Sequence, residues 1–232
     1  MIVEDFIMLG RTVPEESKKH GLVVCSAGYS RELRQFLRIY PITMLDRVPR
    51  WSRCQIALKR NPLDSRMESW RLNHDGEITI KDKAIKAEEY DALAKMATGS
   101  IAELNDRRAS LGIIKPQGLE YRFDGMKKQE EYLRDLFPTA HREQPTPRMM
   151  FRDEAGAHDL QLRDWGSHEF LRKNQDANER HKLWSALRLT DSTSEHLLFV
   201  GNHNQHRNSW LVIGVISERV KLQRSFDLAE AA

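Results

Sequence analysis

Leu197-Leu198-Phe199-Val200 and Trp210-Leu211-Val212-Ile213-Gly214-Val215-Ile216, separated by the polar segment from Gly201 to Ser209, form the most core-like stretch of this chain. Two apolar runs rich in β-branched and aromatic residues around a glycine- and asparagine-bearing turn predict a hairpin with a long loop. The second run is apolar on consecutive rather than alternate residues, so both faces of its strand are expected to be covered. The remaining strands are expected to assemble around this hairpin.

Upstream, Ile2 to Gly10, Leu22 to Gly28, Phe36 to Tyr40 and Cys54 to Lys59 read as strands. Pro14 ends the first and Pro41 stops the third. Residues 31–37 read as a short helix or a turn. Residues 61–70 read as a loop and 74–77 as a turn, with a short strand over 78–80. Asp82 is a good N-cap for a helix through Ala97, with Ile85, Tyr90, Leu93 and Met96 as its stripe. Ser100 and Glu103 make a capping box for a second helix to about Leu111. Ile113-Ile114 and Leu119 to Phe123 look extended, and a charged amphipathic helix carries Tyr132, Leu133, Leu136 and Phe137. The proline-rich stretch 138–148 reads as a linker or surface loop. A second hairpin is expected between 149–152 and 159–162. Ser167, and Asp176 with Glu179, open two short helices before the terminal hairpin. No internal repeat is visible. The expected fold class is α+β: one domain over 1–232, a mainly antiparallel, barrel-like sheet, and helices inserted in the middle of the chain over 82–137.

Hydrophobic residues make up 40% of the 232-residue chain and charged residues 31%, a soluble globular balance. No apolar run reaches the length that spans a bilayer. The acidic N-terminus lacks the features of a signal peptide, so a cytoplasmic, membrane-free protein is expected. Cys25 and Cys54 sit in apolar runs and read as free buried thiols, with a disulfide or metal pair as the alternative. The net charge is +3 but uneven: residues 31–60 hold eight basic side chains against two acidic ones. Such asymmetry points to a polyanion partner or to a solvated face.

Four constellations could carry chemistry. Arg34, Arg38, Tyr40, Arg50, Trp51 and Arg53 combine guanidinium groups that bind phosphates with rings that stack on bases, unless they are core edges and surface decoration. Asp64 to Arg71 alternates acid and base; it fixes its own loop by ion pairs, presents Arg66 and Arg71 to a phosphate with Asp64 and Glu68 orienting them, or places Asp64 and Glu68 around a divalent cation. His196, His203 and His206 lie on the terminal hairpin, where His203 and His206 could share a metal or supply a base, against the alternative of a solvated loop tip. Asp164-Trp165 reads as a packing anchor. No phosphate-cradling glycine loop, GxSxG elbow, HExxH or CxxC is present. No cofactor and no metal site are expected.

Several pieces resemble a family of uncharacterised prokaryotic proteins found in mobile-element and phage-defence gene neighbourhoods. They are Pro14 to Lys19, Val24 to Gly28, Arg38-Ile39-Tyr40-Pro41, Asp64-x-Arg66-x-Glu68-Ser69, Ser110 to Pro116, Asp164-Trp165, and Trp210 to Val215. The pattern of short strands, central helices and closing hairpin is also similar to small nucleic-acid-binding barrels of the pseudouridine-synthase-associated (PUA/ASCH-like) kind.

The function expected is therefore nucleic-acid binding, as a recognition subunit of a prokaryotic defence or nucleic-acid modification system with protein subunits as further partners. Lys18, Lys19, Arg38, Arg50, Arg53 and Arg66 would contact phosphates, and Tyr40, Trp51 or Trp70 would stack on a base. The alternatives are a hydrolase or nuclease using His203 or His206 with Asp64 or Glu68, and a non-catalytic interaction subunit. The hydrolase requires the hairpin tip and the 64–71 loop to meet.

Overall fold

The structure, a computed structural model, describes residues 1–17, 21–43, 48–73, 78–128 and 143–219. In the first half, β1 (Ile2–Arg11), β3 (Gly21–Ser30), β4 (Gln35–Thr43), β5 (Ser52–Arg60) and β6 (Ser69–Leu72) pair in the order β1-β3-β4-β6-β5, and β5 returns to β1 to close a barrel. All of these contacts are antiparallel except β4 with β6. Counted as barrel strands, the order is 1-2-3-5-4-1 with a parallel 3–5 contact, which is the Greek-key order of an OB barrel. β2 (Glu15–Ser17) pairs with β3 and β7 (Thr79–Lys83) with β5 at the margins. Alternation along β1 decides what fills the barrel: Phe6 and Met8 join Val24, Leu37, Ile39, Cys54, Ile56 and Leu58 inside it.

The second half repeats this order. β8 (Leu111–Ile114) and β9 (Gln117–Lys128) are one strand bent at Lys115-Pro116. β9 pairs with β10 (Glu143–Asp153), and β10 with β11 (Gly156–Gln161). A parallel bridge from Leu162 to Val212 joins this sheet to β13 (Trp210–Arg219). β13 pairs with β12 (Ser194–Asn202), and β12 returns to β8. The interior combines Met149, Phe151 and Leu162 from one sheet with Ile114, Leu198, Val200 and Val212 from the other. The repeat that the sequence hides is therefore one of topology, carried by different residues in each half.

Four helices occur among the described residues: α1 (Lys86–Ala94), α2 (Ile101–Asp106), α3 (Trp165–Lys173) and α4 (Ala177–Ala186). α1 and α2 link the barrels, while α3 and α4 lie between the third and fourth strands of the second. The helical middle is shorter than the expected 82–137. Asp82 belongs to β7, where Arg53 takes both its backbone pairing and its carboxylate, and β8 and β9 occupy 111–128. The helix expected over 132–137 lies outside the described residues. Ser100 caps α2 through Glu103 N, and Glu103 returns a carboxylate to Gly99 N. Asp164 rather than Ser167 caps α3; the Ser167 amide is the group it satisfies. β4 continues through Pro41 to Thr43 instead of stopping at it. Both cysteines are free thiols, Cys54 buried and Cys25 half-buried, which removes the disulfide.

The barrels meet over a second apolar layer. Ile7, Leu9, Ala27 and Tyr29 on the outside of the first pack against Ile113, Leu197, Phe199, Ile213 and Ile216 on the outside of the second. Thus Leu198 and Val200 face one interior while Leu197 and Phe199 face the neighbouring barrel, as the period of two in a strand requires. That is why β12 and β13 read as unbroken apolar runs.

Candidate nucleic-acid interface

The arginines that the sequence singles out lie mostly in the seam between barrels. On β4, Arg38 alternates with Leu37 and Ile39, so it points out of the first barrel, but outward there is the second barrel. It is 4% exposed and donates through Nη2 to the Ser110 carbonyl at 2.7 Å and through Nη1 to Cys25 Sγ at 3.3 Å. Arg50 donates through Nη2 to the Val215 carbonyl at 2.7 Å. Arg66 is buried, forks onto Asp64, and reaches the Asn202 carbonyl at 2.9 Å through Nη1. Arg53 is held by Asp82 and lies 3.6 Å from Glu89. These guanidinium groups are tied to carboxylates and carbonyls. The expected trough of Arg38, Arg50, Arg53 and Arg66 is replaced by a set of inter-barrel and intra-barrel ties. Lys18 and Lys19 lie outside the described residues.

The aromatic partners are also committed. Trp70 is buried in the first barrel, with the Arg60 guanidinium 3.9 Å above its ring. Trp51 is half-buried beside Arg50, whose guanidinium carbon is 5.4 Å from the ring centre. Tyr40 is half-buried, and its hydroxyl is pushed above its usual range by burial, then by Glu15 and Cys25.

Asp64-x-Arg66-x-Glu68-Ser69 acts as a latch. Asp64 accepts from Arg66 Nε and Nη2 and from Ser69 Oγ. Burial alone would raise its carboxyl, but the hydrogen bonds from Arg66 and Ser69 outweigh it and hold the group at about 2. Glu68 accepts from Ser110 N at 2.8 Å and Ser110 Oγ at 2.9 Å. Both carboxylates are therefore occupied by protein donors. Among the described residues no group of three or more His, Cys, Asp or Glu could hold a metal ion. The hairpin tip and the 64–71 loop do meet, as the hydrolase reading requires, yet what meets there is a latch rather than an acid–base pair.

The meeting creates a surface. In OB barrels, ligands lie on the face of strands 2 and 3 and on the 1–2 and 4–5 loops. In the first barrel the face of β3 and β4 is covered by the second, as the Phe36–Phe199 ring contact at 5.5 Å marks. In the second barrel the equivalent face is open, but Arg122 and Arg148 there are neutralised by Asp124 and Asp159. The 4–5 loops of the two barrels, 61–68 and 203–209, lie side by side. Arg207 Nη2 donates to Ser65 Oγ at 2.8 Å, and Asn202 Nδ2 donates to the carbonyls of Arg207 and Ala109.

On this joint rim Leu63 is 86% and Met67 74% exposed. His203 and His206 are exposed with ring centres 5.8 Å apart. Arg60 and Arg108 are exposed and Arg207 half-exposed. Asp64 and Glu68, turned inward, leave the rim cationic. The sequence reading assigned no contact to Arg60, Leu63, Met67, Arg108 or Arg207. The one available signal is a large apolar residue on each side of the polar run Asp64-Ser65-Arg66, just after Asn61-Pro62.

No curated protein matches this chain. The profile of a family described as Domain of unknown function (DUF8758) matches residues 3–97, the first barrel with α1. Among solved structures, the HINa domain of Ifi202 in complex with 20 bp double-stranded DNA is 9% identical at a TM-score of 0.36, over 95% of this chain and 99% of that one. A murine DNA-binding protein bound to double-stranded DNA is 7% identical at 0.34, over 95% and 98%. The tetrameric p202 HIN2 is 8% identical at 0.30, over 95% of each chain.

Proposed function

We propose that this chain binds nucleic acid along the joint rim of its two barrels. The observation that carries the reading is the side-by-side placement of the two 4–5 loops, which brings Arg60 and Arg207 to one edge with the His203–His206 ring pair, while the contacts of Ala109 with Asn202 and of Ser110 with Glu68 set the turn bearing Arg108 beside them. Arginine supplies paired donors to phosphate oxygens, and exposed imidazole or thioether groups offer flat or soft surfaces to an unstacked base. The substrate best suited is a single strand, because bases must be free of a partner to reach His203, His206 or Met67. A place as recognition subunit of a prokaryotic defence or modification system is the setting that the family resemblance implies for this activity.

The test is titration of fluorescent single- and double-stranded DNA and RNA at two salt concentrations. Single strands are expected to bind more tightly, with affinity falling steeply as salt rises because counterions are released. Charge reversal at Arg60 and Arg207 together is expected to abolish most of that dependence. Absence of binding to any of the four at low salt would end the proposal, and Leu63 and Met67 would then mark a protein contact.

A further inference from the structure

A second cationic cluster lies at the other end of β13, away from the rim. Three separate segments converge on residues 215–218. Arg50 reaches the Val215 carbonyl. Ala84 N donates to the Trp51 carbonyl at 2.8 Å, which sets the start of α1, and Lys86 with it, beside the 50–51 turn. Ser217 Oγ donates to the Leu187 carbonyl at 2.7 Å, which brings Arg188 to the same strand. Arg50, Lys86 and Arg188 are all half-buried.

Two carboxylates stand at this end of the strand pair: Glu218, and Glu195 opposite it on β12, which accepts from the Tyr90 hydroxyl of α1. Glu218 is the carboxylate that faces Lys86, and Asp164, which acts on Arg50 from a distance, is occupied by the Ser167 amide and hydroxyl. Glu88, in the first turn of α1, is exposed, and Glu89 is taken by Arg31 and Arg53. The Lys86 ammonium is held below its usual range by burial, and then by Arg188 and Arg50 against the pull of Glu218. Arg50 Nε is buried with no hydrogen-bond partner. The N-cap of α1, Ile85, has no side chain that can accept from the first amides of the helix. Like charges gathered with unsatisfied donors are unfavourable on their own and become favourable once an anion enters.

We propose that the surface where the start of α1, the end of β13 and the 187–189 turn meet binds a phosphate-type oxyanion, held by Arg50, Lys86 and Arg188. The site is independent of the rim and stands whether or not the rim binds nucleic acid. The oxyanion is either a free phosphate group or a backbone phosphate of a bound strand, and the same three side chains serve both.

The experiment is thermal melting of the full chain in inorganic phosphate against chloride at matched ionic strength. Phosphate at several times its dissociation constant is expected to raise the wild-type Tm by about 3 °C. Lys86→Gln with Arg188→Gln is expected to remove that shift, while Arg60→Glu on the rim keeps it. Without phosphate, Lys86→Gln is expected to melt no lower than wild type, because it removes a repelled cation; this separates loss of a site from loss of the fold. Repeating the melt at saturating oligothymidylate separates the sources: loss of the phosphate increment assigns the site to backbone phosphate, and additive shifts assign it to a free oxyanion. No phosphate shift in wild type, or an equal shift in the double variant, overturns the proposal.

Discussion

Arg66, on the 4–5 loop of the first barrel, donates to the backbone carbonyl of Asn202 at the end of a strand in the second, 136 residues away. Its other donors are held by Asp64, two residues back. Folding of the loop and docking of the barrels therefore share one guanidinium. That bond, together with the one from Arg207 to Ser65, sets residues 61–68 against 203–209 and so forms the rim.

Removing one member of this buried pair leaves the other charged and unpartnered. Asp64→Ala or Arg66→Ala is expected to destabilise the chain by roughly 3 kcal/mol, within the range for breaking a buried ion pair. Denaturant unfolding measures it. The double variant Asp64→Ala/Arg66→Ala is expected to lose less than the two single losses combined, since no orphan charge remains. Equal and additive losses would show that the two side chains act separately.

The latch also has an acid limit. Asp64 titrates at about 2 in the folded chain, below its unfolded value. Its contribution is complete above the unfolded pKa and disappears as pH falls through about 4 towards 2. His168 works in a higher window. It is pushed down to about 4, first by burial and then by Arg163, while its unfolded value is near 6.5. The unfolded chain therefore takes up this proton first, and stability declines as pH drops from about 6.5 towards 4. His168→Phe keeps the ring stacked on Trp165, now 5.6 Å away centre to centre, and is expected to flatten the stability profile over that upper window while leaving the lower fall intact.

How much of this could be read in the sequence follows from what a one-dimensional pattern records. The unbroken apolar run 210–216 correctly announces a strand covered on both faces, because hydrophobic alternation fails only when both sides are buried. It does not say that the second cover is another barrel. The repeat stays hidden because the first strand is continuous in one half, Ile2–Arg11, and broken by Lys115-Pro116 in the other. The arginines mislead for a related reason. The outward position of Arg38 between Leu37 and Ile39 is legible; that outward means the seam is a fact of docking, fixed by Ser110 72 residues downstream. Leu63 and Met67 are missed because an exposed apolar residue in a loop looks like any other apolar residue until its exposure is known.

The seam is close enough at one point to exclude any side chain. A Cβ at Gly10 would strike the Ile213 carbonyl oxygen, a backbone atom of β13 that cannot rotate away. Gly10→Ala is expected to cost about 2 kcal/mol or more, as overpacked substitutions do. Gly125→Ala, where nothing lies within 4 Å, is the control and is expected to change little. Chemical denaturation of both variants makes the comparison. A Gly10→Ala chain as stable as the control would mean that the barrels separate at that point at little cost.

On the rim, Arg60 has two roles that one substitution separates. Its guanidinium covers the Trp70 ring at 3.9 Å and its Nη1 donates to the Met67 carbonyl, so it shapes the loop as well as charging it. Arg60→Lys keeps the charge but loses the flat cover and the fork. Arg60→Gln keeps a donor but loses the charge. If the rim binds a nucleic-acid backbone, Arg60→Gln lowers the salt slope of binding by about one contact, whereas Arg60→Lys leaves the slope nearly unchanged. Trp70 emission is expected to change in both, because both uncover the ring. Equal salt slopes in all three chains, with tryptophan emission altered, would leave Arg60 as a purely structural cap on Trp70 and move the phosphate contacts to Arg108 and Arg207.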